Sequence, residues 1–126
     1  MEHNADFRYD LKWGQIGENA VAEIVAGDKT EVKSERDIWT TTGNHFVEIE
    51  SRDKPSGICT TQAKYWSVNF FHNDKFCYNI TVTVKDLKKI VLNYKSNKVK
   101  GGDNNTSLGI LVPIRALINV ESYKTL

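Results

Sequence analysis

Two segments between Thr30 and Glu50 alternate in side-chain character, Thr30-Glu31-Val32-Lys33-Ser34-Glu35 and Phe46-Val47-Glu48-Ile49-Glu50. A period of two belongs to extended chain, whose successive side chains point to opposite faces. The first segment therefore puts Glu31, Lys33 and Glu35 on one face and turns Val32 the other way, toward a core. The second puts Glu48 and Glu50 on one face and Val47 and Ile49 on the opposite one. Thr42-Gly43-Asn44 supplies turn chemistry between them, which predicts a hairpin with a longish loop. If the strands pair, Glu31, Glu35, Glu48, Glu50 and Lys33 crowd one small surface. Like charges across a strand pair are destabilising, and a divalent cation would relieve the repulsion.

The segments around this pair follow helical or strand spacing. Residues 11–26 read as a helix, with Trp13, Ile16, Ala20 and Ile24 at helical spacing and Val21 and Val25 widening the stripe. Asp10 is a candidate N-cap, Gly14 and Gly17 leave open a start near Gly17, and Gly27 is a natural stop. The 51–57 stretch, with Pro55 and Gly57, reads as loop. Thr60 or Thr61 caps an expected helix through Gln62, Ala63, Lys64, Tyr65 and Trp66. Strands are expected over 67–71 and 76–84. Thr83 and Asp86 then resemble a capping box for a helix over 84–94, with Leu87, Ile90 and Val91 on one face. A polar loop over 95–107, a short strand over 108–112 and a helix opened by Pro113 complete the order. The expected class is α/β: a single domain, residues 1–126, whose central mixed β-sheet is flanked by helices.

Composition bounds the function. A chain of 126 residues suffices for one domain and its core, and 40% hydrophobic with 26% charged residues is ordinary for a globular protein. No apolar run approaches the ~18 residues of a membrane span, and the polar N-terminus lacks signal-peptide features, so a cytosolic protein without membrane attachment is expected. Cys59 and Cys77 form no CxxC pair and read as reduced thiols. His3, His45 and His72 are too scattered for a zinc pattern, with His45 read as a surface residue bordering the acidic strand. The sequons at Asn79, Asn104 and Asn105 are read as chance. A net charge of +1 means that any polyanion must be held by a local patch.

A surface of carboxylates with one lysine suits phosphodiester hydrolysis. Hard Mg²⁺ or Mn²⁺ takes oxygen ligands, polarises a phosphoryl oxygen and acidifies a bound water. A lysine on the same face can orient that water or offset developing charge. The competing explanation is a solvated strand face, since Glu and Lys two residues apart are common.

Gly17-Glu18-Asn19-Ala20 on a helix, then Glu31-Val32-Lys33, resembles the PD-(D/E)xK nuclease superfamily. The run from Gly43 through Glu48-Ile-Glu50-Ser-Arg52-Asp-Lys54-Pro-Ser-Gly57 is similar to small phage-encoded and Holliday-junction-resolvase-like members. The resemblance covers roughly residues 14–66. It implies a restriction-endonuclease-like core and a metal-dependent deoxyribonuclease in a bacterial or phage-infected cell. Glu31 and Lys33 would be the (D/E)xK pair and Glu18 the helix glutamate. Glu31, Glu48 and Glu18 would hold Mg²⁺ or Mn²⁺, with Glu35 and Glu50 as further candidate ligands. The sequence departs from the pattern in two places: no Pro-Asp dipeptide precedes the motif, and the later acidic strand carries Glu50 where lysine is expected. Gln62-Ala-Lys-Tyr65 loosely resembles a helix motif of exonuclease-like members.

Arg52, Lys54 and Ser56, beside Gly57, are placed to reach DNA phosphates, as are Lys98 and Lys100 before Gly101-Gly102. Trp39, in the expected hairpin loop, is a candidate for stacking on a base. Three functions compete: a Mg²⁺-dependent endonuclease on branched or duplex DNA, with a homodimer one option; a catalytically inactive nucleic-acid-binding or regulatory module of the same fold; and a domain whose acidic face binds a protein.

Overall fold

The computed structural model describes residues 3–119, with side chains from Lys12 onward. A helix, α1 (His3–Ala26), comes first, so Asp10 lies within it rather than at its cap. Gly27 ends it in the left-handed conformation, φ +80°, as the sequence predicts. Then follow β1 (Thr30–Arg36), the one-turn helix α2 (Trp39–Thr42), β2 (Asn44–Ser51) and the two-residue β3 (Lys54–Pro55). A 3-10 turn at Gly57–Cys59 leads to β4 (Tyr65–His72) and β5 (Lys75–Thr83). The chain closes with α3 (Val84–Asn93), β6 (Lys98–Gly101), a second 3-10 turn at Asp103–Asn105, β7 (Ser107–Pro113) and α4 (Ile114–Ile118).

The strands form two sheets where one was expected. One is mixed, in the order β1-β4-β5, with β1 parallel to β4 and β5 antiparallel to it. The other is antiparallel throughout, in the order β3-β2-β7-β6. The expected β1–β2 hairpin does not form. Asp37, at φ +54°, and α2 turn the chain aside, and β1 pairs with β4 instead. This spares β1 a partner with glutamates directly opposite its own. In the parallel register Glu31, Lys33 and Glu35 face Trp66, Val68 and Phe70. The charged face of β1 thus looks inward, and Val32, assigned to the core by alternation, is 58% exposed.

Two further segments differ from expectation. Residues 62–66 form no helix, because Tyr65 and Trp66 already belong to β4. The aromatic and β-branched content of that strand favours extended chain. Lys98–Gly101, read as loop, is a strand because it finds its ladder on β7, Lys98 opposite Ile110 and Gly101 opposite Ser107. The helix after Thr83 forms as read: the Thr83 hydroxyl accepts the Asp86 N–H at 3.1 Å, a cap worth ~1 kcal/mol.

The core lies where the two sheets and two helices meet. Trp66, Val68 and Phe70 come from β4, Val47 from β2, Ile110 and Val112 from β7, Leu87 and Ile90 from α3, and Leu117 from α4. Trp39 stands against this core. Its ring meets Phe70 and Tyr78 edge-on at 5.3 and 5.4 Å, and its indole N–H donates to the Phe71 carbonyl at 2.7 Å. It is therefore a packing residue, not a free stacking platform. On the outer face of β2, the Phe46 ring lies over Gly109, where a Cβ would come within 2.5 Å of the ring. The α1 stripe is left largely in solvent, with Trp13 50%, Val21 59% and Val25 77% exposed. Among the described residues no helix is long and apolar enough to cross a membrane.

Candidate functional site

The inward face of β1 carries the site. Lys33 Nζ lies 3.7 Å from Glu31 Oε2 and 5.3 Å from the centroid of the Trp66 ring. A cation over an indole face is held by the ring quadrupole. Glu31 Oε1 accepts the Thr61 hydroxyl at 3.2 Å. Both side chains keep about a third of their surface in water, 35% for Lys33 and 37% for Glu31. The pair is fixed from below and reachable from above.

Glu35, two residues on, does different work. β3 covers β2 only at Glu50 and Ser51, which leaves the edge of β2 open around Phe46. Glu35 Oε2 accepts the Phe46 backbone N–H at 2.7 Å and lies 2.6 Å from His45 Nδ1. His45 is 1% exposed, not a surface residue, and its Nε2 sits 3.1 Å from the Trp66 indole nitrogen. An indole N–H can only donate, so Nε2 carries the lone pair and Nδ1 carries the proton given to Glu35. The ring is spent on both sides and has no lone pair left for a substrate. A chain of contacts, Glu35 to His45 to Trp66 to Lys33, joins the two sheets and ends on the site lysine.

Glu48 is spent as well. Ser107 donates to its Oε1 at 2.7 Å and Ser56 to its Oε2 at 2.9 Å. Ser56, expected at DNA, is thus tied to Glu48. Gly57 makes this possible: at φ +56°, a Cβ there would lie 2.2 Å from the Glu48 carbonyl oxygen.

Glu50 opens instead onto a cavity of about 410 Å³, which Arg52, Asp53, Lys100, Asn105 and Thr106 also line. Arg52 and Lys100, far apart in sequence, are brought together here. Lys54 is exposed on β3 and Lys98 on β6, outside that cavity. Glu18 is exposed on α1. At the base of α1, Lys64 Nζ lies 2.8 Å and Lys29 Nζ 3.6 Å from Glu23 Oε1. The Lys64 hydrogen bond, helped by the charge of Lys29, holds the Glu23 carboxyl below its ordinary value. Glu23 and then Tyr65 push Lys64 up.

The expected single surface of carboxylates is therefore divided. Mg²⁺ needs a near-octahedral oxygen shell, of which protein carboxylates usually supply one or two. Glu48 has both oxygens engaged, Glu35 serves the edge of β2, and Glu50 and Glu31 stand on different sheets. Among the described residues no three His, Cys, Asp or Glu side chains are grouped to hold a metal. The five glutamates do not fit one ion in this arrangement. Glu31, beside Lys33, offers a single carboxylate.

Sequence reasoning missed Thr61, Ser107 and the buried role of His45. Small hydroxyls and one histidine carry no periodic signal, and their partners lie 59 residues apart for Ser107 and Glu48. Comparison with protein-family models, with curated proteins and with solved structures finds no match for this chain.

Proposed function

We propose that this protein is a DNA phosphodiester hydrolase of the restriction-endonuclease-like kind, centred on Glu31 and Lys33. The observation that carries the proposal is the Glu31–Lys33 pair itself, 3.7 Å apart, a third exposed and braced on Trp66. A fixed ammonium beside a reachable carboxylate suits a reaction in which negative charge grows on phosphate oxygens and water gives up a proton. Lys33 would meet the growing charge, and Glu31 would accept from the attacking water. A need for Mg²⁺ or Mn²⁺ is implied by the sequence resemblance alone.

The test is cleavage of supercoiled plasmid and of a four-way junction, with and without Mg²⁺ or Mn²⁺. Wild type is compared with Lys33→Ala and Glu31→Ala. Loss of an oxyanion-type donor costs about 10²–10³ in rate and loss of a general base about 10²–10⁴, so cutting should fall about 10² or more for Lys33→Ala and for Glu31→Ala while their folds hold. A second reading, a non-cutting nucleic-acid-binding module, is favoured by the engagement of Glu35 and Glu48 with protein donors. A well-folded wild type that binds DNA and cuts neither substrate would decide for it.

A further inference from the structure

A cavity lies between the β2–β3 turn and the 3-10 turn before β7. We infer that it binds one nucleotide unit, with the phosphate on Arg52 and Lys100 and the base edge on Glu50 and Asn105; this rests on the DNA reading above and deepens it. Three observations converge. The first is size: about 410 Å³ falls in the range of small-molecule sites, ~300–1,000 Å³, and admits one nucleotide but not a duplex.

The second is the state of the side chains. Elsewhere the buried or half-buried carboxylates are engaged: Glu35 by His45 and Phe46, Glu48 by Ser56 and Ser107. Half-buried Glu50 makes no hydrogen bond or ion pair with another described residue, and it lines the cavity with the exposed Arg52, Asp53 and Lys100, whose side chains are likewise unpaired among the described residues. Two cations and two anions around one hollow, left unpaired with each other, leave donors and acceptors for a ligand that needs both.

The third is the backbone. Arg52 and Asp53, at φ +51° and +66°, and Asn104 and Asn105, at φ +57° and +54°, are all left-handed non-glycine residues. Arg52 and Asp53 are the central pair of the β2–β3 hairpin turn, which calls for this conformation just as Asn73 and Asp74 adopt it between β4 and β5, and with Asn104 and Asn105 they shape the two turns that border the cavity. The Arg52 N–H donates to the Thr106 carbonyl at 2.8 Å, which locks the turns together. The ligand chemistry follows from the mixture. Arginine and lysine hold a phosphate. A carboxylate accepts from exocyclic amino groups, and an asparagine amide both donates and accepts. An anion with no base would meet Glu50 and Asp53 unfavourably, so a nucleotide bearing an amino group is selected over bare phosphate.

The experiment is metal-free titration of the ¹⁵N-labelled protein with dGMP, dCMP, dTMP, inorganic phosphate and a single-stranded hexanucleotide. Shifts are expected at Arg52, Lys100 and Asn105, with dGMP or dCMP tighter than dTMP and phosphate weakest. Arg52→Asn, chosen because asparagine tolerates the left-handed backbone, and Lys100→Met should each weaken binding at least about tenfold. Glu50→Gln should shrink the preference for amino-bearing bases. A hexanucleotide binding tenfold or more above the monophosphates would make the natural ligand a unit of a strand, and equal affinities would make it a free nucleotide; either supports the site. No shift at these residues at millimolar ligand, or unchanged binding by both cation variants, overturns it. Glu31→Ala and Lys33→Ala should bind as wild type does, so a chain that binds here without cutting loses the hydrolase proposal alone, and one that cuts without binding here loses the cavity alone.

Discussion

Replacing Glu35 separates a structural carboxylate from a metal ligand by the sign of the effect. If Glu35 belonged to a crowded acidic centre, its removal would relieve repulsion and stabilise the metal-free protein. In the observed structure its Oε2 is the acceptor for two donors, the Phe46 N–H at 2.7 Å and His45 Nδ1 at 2.6 Å. Leaving a buried donor unmet costs about 1–3 kcal/mol. The Glu35 side chain is 14% exposed, so water reaches part of the vacated space and the lower half of the two-donor range applies. Glu35→Ala is therefore expected to lose about 2–4 kcal/mol, or about 8–16 °C in Tm at ~4 °C per kcal/mol for a chain of this size. Glu35→Gln keeps an oxygen where both donors point and loses only the charge. Neutral bonds are roughly half as strong as charge-assisted ones, so ~1–2 kcal/mol is expected. Urea unfolding followed by far-UV circular dichroism, with Mg²⁺ chelated, gives both values. A Glu35→Ala protein as stable as wild type or more so, or a Glu35→Gln protein no better than Glu35→Ala, would refute the structural assignment.

Other consequences follow from the same contacts. Gly57→Ala places a Cβ 2.2 Å from the Glu48 carbonyl oxygen at φ +56°; a loss of about 2–4 kcal/mol in urea unfolding is expected, and a loss below ~0.5 kcal/mol would contradict the packing. Gly109→Ala drives a Cβ to 2.5 Å from the Phe46 ring; it should cost ~1–3 kcal/mol, and Phe46→Leu in the same chain should recover a measurable part in a double-mutant cycle. Because Glu23 is lowered by Lys64, its contribution is present above the ordinary glutamate value and is lost as pH falls through the lower folded one. The Glu23→Gln variant should therefore show a shallower acid limb in stability against pH, and an identical limb would show that the ion pair makes no contribution.

Local chemistry was legible in the sequence wherever a residue's partner lay within a few positions. Gly27 as a stop, Thr83 as a cap and Leu87, Ile90 and Val91 as one helix face all needed only near neighbours, and all three hold. The alternation of β1 was legible too, but not its direction. Periodicity says that Glu31, Lys33 and Glu35 share a face, not which face the fold turns inward. Val32 points the wrong way, because an apolar residue opposite charges reads as core and here is 58% exposed. The charged face instead looks toward Trp66, and a hydrogen bond that Glu35 accepts from the Phe46 N–H, on the open edge of β2, takes the place of apolar burial. Strand pairing was illegible for a related reason. The β1–β2 hairpin was plausible by proximity, and the partner that won, β4, begins 29 residues after β1 ends (Tyr65 against Arg36). Long-range pairing leaves no local trace.

The same misdirection bears on the site. Glutamates alike in sequence differ in whether their oxygens are already satisfied. Glu35 and Glu48 hold the fold by accepting from N–H and O–H groups of other segments, while Glu31, with one oxygen on Thr61, keeps about a third of its side chain in water and Glu50 faces a cavity. Yet a structural carboxylate can still govern the site. Trp66 carries Lys33 on its face and is fixed at its edge by His45, which Glu35 in turn orients. Loosening Glu35 should let Trp66 and therefore Lys33 wander, and misplacement of a catalytic group by ~1 Å can cost about 10² in rate. Trp66→Phe should do the same to cutting, since phenylalanine keeps an aromatic face for Lys33 but has no N–H to donate to His45. If Glu35→Gln and Trp66→Phe fold and cut as fast as wild type while Lys33→Ala does not, the lysine acts without its platform and the link between fold and site is broken at Trp66.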